Sequence, residues 1–123
     1  MRNYDRVGIE GNATREPVLR KTKTGKSVCS FSIAINHYSR EGAEPSVSYV
    51  DVETWEKLAE ICARSVNKGK RVMVFGSLRQ DRWQDEDGNN RSKIKVVGSD
   101  IRFLEMPVNN SADQSAGAES AAV

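Results

Sequence analysis

Two cysteines, Cys29 and Cys62, and a single histidine, His37, are the only thiols and the only imidazole in this chain. The cysteines stand far apart, with no Cys-x-x-Cys pair and no companion histidine, so neither a zinc site nor a disulfide framework is expected. Both thiols read as buried core groups. His37 has no neighbouring nucleophile, which weighs against Ser–His or Cys–His catalysis and leaves it a loop role. The acids Asp85, Glu86 and Asp87 precede Gly88 as a hairpin tip demands, so they need no metal. The expectation is therefore no enzyme, no metal and no cofactor. Long apolar runs are also missing: nothing approaches the roughly 18 consecutive apolar residues of a membrane span, and Met1-Arg2-Asn3-Tyr4-Asp5-Arg6 lacks the apolar stretch of a secretory signal. A cytoplasmic protein with no membrane partner is predicted.

Net charge is scarce too, at +2 formally for 123 residues, but it is unevenly spread. From Met106 to Val123 the chain runs in Ala, Ser, Gly, Asn and Gln, with no Lys or Arg and only Asp113 and Glu119 as charges. Such a composition predicts a disordered tail over 106–123 behind one folded domain over 1–105. Setting the tail's two acids aside raises the body to +4, a sign that suits a polyanionic partner.

What is present is β-patterning. Cys29, Phe31, Ile33 and Ile35 alternate with small or polar residues between Val28 and Asn36, the mark of a half-buried strand. Val7 and Ile9 mark an earlier strand, with Gly11-Asn12 able to turn the chain after it, and residues 17–21 form a weaker extended piece. From Val47 to Trp55, Val50 and Val52 share one face while Tyr49, Asp51, Glu53 and Trp55 share the other. Leu58, Ile61, Cys62 and Val66 then recur at helical spacing, with Gly69 a plausible stop. Arg71 to Leu78 is nearly continuous in apolar residues, interrupted by Gly76, as in a strand covered on both sides or bent at a barrel corner. Asp87-Gly88 signals a hairpin returning along Arg91 to Val97, with Ile94 and Val96 on one face and Arg91, Lys93 and Lys95 on the other. Ile101, Phe103 and Leu104 form a last extended piece.

Three strands, one short helix and two further strands is the order of the OB fold, an all-β, five-stranded Greek-key barrel with its helix between strands 3 and 4. A face of that barrel suits an oligomeric ligand. Single-stranded nucleic acid bound without sequence recognition offers only phosphate charge and base π-faces, so it calls for exposed aromatics beside cations. Tyr49, Trp55 and Trp83 suit stacking, with Tyr38, just past a strand end, as a fourth. Lys57, Lys68, Arg79, Arg82, Arg91 and Lys93 suit the phosphates. Phe31 and Phe75 are assigned to the core.

Several segments resemble the bacterial-type single-stranded DNA-binding protein family. Gly11-Asn12-Ala13-Thr14-Arg15-Glu16-Pro17 is similar to that family's Gly-Asn-Leu-Thr-Arg-Asp-Pro, and Phe31-Ser32-Ile33-Ala34-Ile35-Asn36 to its Phe-Ser-Leu-Ala-Val-Asn strand. Trp55 to Glu60, Lys68-Gly69, Val74 to Leu78 and Trp83 to Arg91 fall in the same order. The resemblance implies an OB-fold homotetramer that coats single-stranded DNA in replication, recombination and repair. It places stacking aromatics at Tyr49, Trp55 and Trp83, with a further one near Tyr38, and basic contacts at Lys57, Lys68, Arg79 and Arg82. Two departures stand out. Ser92 replaces an aromatic common in the family, and the tail ends Glu119-Ser120-Ala121-Ala122-Val123 where the family has an acidic tip that recruits replication and repair proteins. The alternative is an OB adaptor that chiefly binds such a protein, with nucleic acid secondary.

Overall fold

The computed structural model describes residues 3–37, 42 and 44–104; Tyr38 and the tail expected over 106–123 lie outside them. In chain order the elements are β1 (Val7–Ala13), β2 (Val18–Lys21), β3 (Ser27–His37), β4 (Ser46–Trp55), α1 (Glu56–Ser65), β5 (Arg71–Gln84) and β6 (Asn90–Phe103). Five of the strands close on themselves. β1 pairs antiparallel with both β3 and β5, β5 with β6, β3 with β4, and β4 meets β6 in parallel at Val52↔Val96 and Glu53↔Val97. β2 stays outside that circuit as a short hairpin partner of β3. A closed sheet removes the exposed edges that would otherwise invite pairing between chains.

The alternation in β3 sets the interior. Cys29, Phe31 and Ile33 are buried and meet Val52 from β4, Val72 and Val74 from β5, and Val96, Ile101 and Phe103 from β6. Each fully buried Val, Ile or Phe contributes roughly 1.5–3 kcal/mol relative to exposure, so this inner face is the main stabilising term. α1 closes one side of the core with Ala59 and Cys62, supported by half-buried Leu58 and Ile61. Two glycines permit the closure. A Cβ on Gly11 would lie 2.5 Å from the Ala34 carbonyl oxygen, and one on Gly76 would lie 2.0 Å from that of Val97.

Several local expectations need correction. Gly11-Asn12 is not a turn; both lie within β1, which needs the extra length to reach β3 as well as β5. Gly69 does not end the helix, because α1 stops at Ser65 with the Val66 N–H donating to the Cys62 carbonyl; Gly69, at φ +88°, serves the turn that follows. The segments predicted separately around 71–78 and Trp83 are one strand, and Ile101–Phe103 continues β6 rather than starting anew. Phe75 is exposed, not core, since it alternates with buried Val74 on β5 and falls on the outer side. Leu78 and Ile94 keep the inward phase but stand exposed, because β5 and β6 run on past the barrel as a two-stranded ribbon with nothing beneath it.

Candidate nucleic-acid interface

Strand register places the aromatic candidates together. On β4, Tyr49 and Trp55 share a face with Asp51 and Glu53, and the parallel pairing with β6 brings Lys93 and Lys95 to the same side. On the ribbon, Trp83 stands opposite Arg91, Asp81 opposite Lys93 and Arg79 opposite Lys95, so these also face that way. Tyr49, Trp55 and Trp83 are 72%, 38% and 48% exposed. Three rings therefore open onto the outer surface of the β3–β4–β6–β5 sheet. A cavity of about 250 Å³ lies between strands on this face, with Arg15, Arg20, Ser32, Asp51, Lys93 and Lys95 among its lining.

The floor between the rings is an ion-pair web. Lys95 donates to Glu53 at 2.7 Å and to Asp81 at 2.8 Å, Arg20 approaches Glu53 at 3.9 Å, and Lys93 pairs with Asp51, which also accepts from the Ser32 hydroxyl. The Lys93 ammonium, helped by Ser32, holds the Asp51 carboxyl below the usual carboxylate range. Partial burial pulls Lys95 down, but Asp81 and Glu53 outweigh it and leave the ammonium above its ordinary value. Nearer the hairpin tip, Arg91 pairs with Asp85 at 2.9 Å, and the backbone N–H of Asn89 followed by Arg91 lowers the Asp85 carboxyl.

This web decides which of the candidate cations are free to meet a phosphate. Arg91 and Lys93 are both committed to carboxylates. Among the described residues, Lys57, Lys68 and Arg79 carry no side-chain ion pair, while Arg82 donates to Gln80 at 3.0 Å. Lys57 lies in the first turn of α1, two residues beyond Trp55, and Arg79 lies on the aromatic face. Arg82 pairs with Ser92 on the opposite side of the ribbon, and Lys68 sits in the turn after α1, its backbone N–H donating to Glu16. The structure thus brings Tyr49, Trp55, Trp83, Arg79, Arg91 and Lys93 to one face and leaves Arg82 and Lys68 off it.

The web itself is what the sequence did not reveal as part of the site. Tyr49-x-Asp51-x-Glu53-x-Trp55 puts two acids between two rings, and Arg91-x-Lys93-x-Lys95 puts three cations on one ribbon face, but only the β4–β6 pairing joins them. Among the described residues no group of three His, Cys, Asp or Glu side chains is arranged to hold a metal. No helix among them is long and apolar enough to cross a membrane.

A closed five-stranded barrel with its helix between the third and fourth barrel strands defines an OB-fold protein, here with three rings open on one face. The chain belongs to the Single-strand binding protein family, which it matches over residues 4–104. It is 38% identical over 102 residues to the single-stranded DNA-binding protein of Caldanaerobacter subterraneus subsp. tengcongensis, covering 82% of this chain and 68% of that one. It is 36% identical over 121 residues to single-stranded DNA-binding protein 2 of Chlorobaculum tepidum, covering 95% of this chain and 82% of that one. In three dimensions it is similar to the SSB of Plasmodium falciparum, solved in complex with ssDNA, with a TM-score of 0.77 at 22% identity over 85% of this chain and 97% of the other. That last likeness speaks to the fold alone.

Proposed function

We propose that this protein binds single-stranded DNA without sequence preference, as a non-enzymatic coat for exposed strands in replication, recombination and repair. The observation that carries the reading is the alignment of Tyr49, Trp55 and Trp83 on one sheet face, each exposed and each in register with charged neighbours. Bases stack on the rings, at about 1–3 kcal/mol per base whatever the base, while Arg79 and Lys57 neutralise phosphates at the rim. Lys93 and Arg91 join only by exchanging a carboxylate for a phosphate. Lys68 and Arg82 belong to a longer path that leaves this face.

Assembly as a homotetramer in the cytoplasm, associated with the nucleoid, is part of the same reading. Family membership supports it, as does the exposed aliphatic pair Leu78 and Ile94 on the far side of the ribbon, apolar surface of the kind that subunit contact covers. Replication and repair proteins are the partners this role implies. Fluorescence anisotropy with a labelled oligo(dT) of ~35 nucleotides, with duplex and RNA as competitors, tests the reading. Tight binding with a steep loss between about 50 and 200 mM salt, and preference over duplex, is expected. Equal binding of duplex would overturn it.

A further inference from the structure

On β4, Glu53 and Trp55 are two residues apart, so their side chains leave the same face of the strand. The Trp55 indole N–H donates to the Glu53 Oε1 at 2.8 Å. The other carboxylate oxygen, Oε2, takes Lys95 at 2.7 Å and Arg20 at 3.9 Å. Glu53 is only 8% exposed, and Lys95 is in turn held by Asp81 on β5 at 2.8 Å. A buried carboxylate beside a surface built for a polyanion is an expensive placement, since like charge opposes the ligand and burial opposes the charge. Its geometry shows what the placement does. One oxygen is fixed by cations from β2 and β6, and the other fixes the edge of an exposed ring.

We propose that Glu53 is a positioning residue for base stacking, holding the plane of the Trp55 ring through its indole N–H so that the ring meets a nucleobase already oriented. The role rests on the reading of Trp55 as a stacking residue. An exposed indole without that bond samples several rotamers and has to be ordered when the strand arrives; a ring ordered beforehand does not. Lys95 and Arg20 act one step back, by fixing the carboxylate. Phenylalanine at position 55 would stack but would have no donor for Glu53, so the chemistry of the pair specifies tryptophan.

A double-mutant cycle on oligo(dT) affinity, with Glu53→Ala and Trp55→Phe, isolates the effect. In the Trp55 protein, Glu53→Ala weakens binding by about two- to tenfold, the range expected for immobilising one side chain. In the Trp55→Phe protein the same change leaves affinity unchanged or raises it, because only the repulsive charge is removed. A shift of equal size in both backgrounds reduces Glu53 to an electrostatic bystander and overturns the proposal. Loss of binding in the starting protein would instead strike at single-strand binding itself. A second measurement needs no change at Glu53. By NMR, the Trp55 indole N–H, identified by its absence in Trp55→Phe, lies downfield and exchanges more slowly than that of Trp83. Equal exchange for the two indoles contradicts the bond.

Discussion

Arg82 and Trp83 are neighbours in sequence yet face opposite sides of the β5–β6 ribbon, Arg82 across from Ser92 and Trp83 across from Arg91. A strand lying on the aromatic face meets Trp83 and Arg79 but reaches Arg82 only after rounding the ribbon edge. Length dependence follows. Arg79→Ala should flatten the salt dependence of binding by about 0.7 in log–log slope for short and long oligonucleotides alike. Arg82→Ala should do so only for strands well beyond the roughly 4–16 nucleotides one OB fold accommodates. Equal effects of the two changes on a strand of about eight nucleotides would contradict this geometry.

The passage from β4 into α1 carries the only positive φ at a non-glycine among the described residues, Glu56 at +57°. Side chains are strained in that region at a cost of order 1–3 kcal/mol, and Trp55 before it makes no side-chain cap. Glu56→Gly is therefore expected to leave stability unchanged or raise it slightly, although glycine ordinarily costs about 1 kcal/mol in a helix interior. Thermal unfolding checks this. A fall in Tm of several degrees would show that Glu56 is not in the left-handed region.

Asp51 sets an acid limit. Its folded-state pKa lies below the unfolded value of about 3.9, so the stabilisation it brings is complete above that pH and is lost as pH falls through the folded value. Asp85 acts with the same sign. Denaturant unfolding should show stability declining below about pH 4, and Asp51→Asn should shallow the decline while lowering stability at neutral pH. An unchanged acid profile in that variant would mean the Lys93 pair contributes nothing.

Burial pushes the Cys62 thiol up to about 11 and raises Cys29 as well. Thiolate is the reactive form, so both should resist an aromatic disulfide reagent near pH 8 in the native protein and react at once in concentrated guanidinium chloride. Rapid labelling of the native chain would place at least one of them at the surface.

Much of the barrel was legible because period-two alternation leaves little choice of face: Cys29, Phe31 and Ile33 inward, Tyr49 and Trp55 outward. The helix and the Asp87-Gly88 hairpin were equally readable from local chemistry, Gly88 adopting φ +82° at the tip. Where reading failed, the cause was long-range. Phe75 looked like core because its neighbours Val72 and Val74 are, whereas it points to the outer side of β5, which a nearly continuous apolar run does not disclose. Gly11 looked like a turn residue because its reason for being glycine, the Ala34 carbonyl, lies on another strand. The pairing partners of the cation row on β6 could not be read, because nothing local to Lys93 or Lys95 announces Asp51 and Glu53. Tyr38 and the expected tail fall outside the described residues.

The most direct test is tryptophan emission during titration with poly(dT), because Trp55 and Trp83 are the chain's two tryptophans and both are assigned to stacking. The prediction is strong quenching that saturates with binding, with Trp55→Ala and Trp83→Ala each removing a share of the signal and weakening affinity by about 1–3 kcal/mol. Emission that stays constant while a labelled strand is demonstrably bound would place the nucleobases elsewhere and refute the aromatic face as the binding surface.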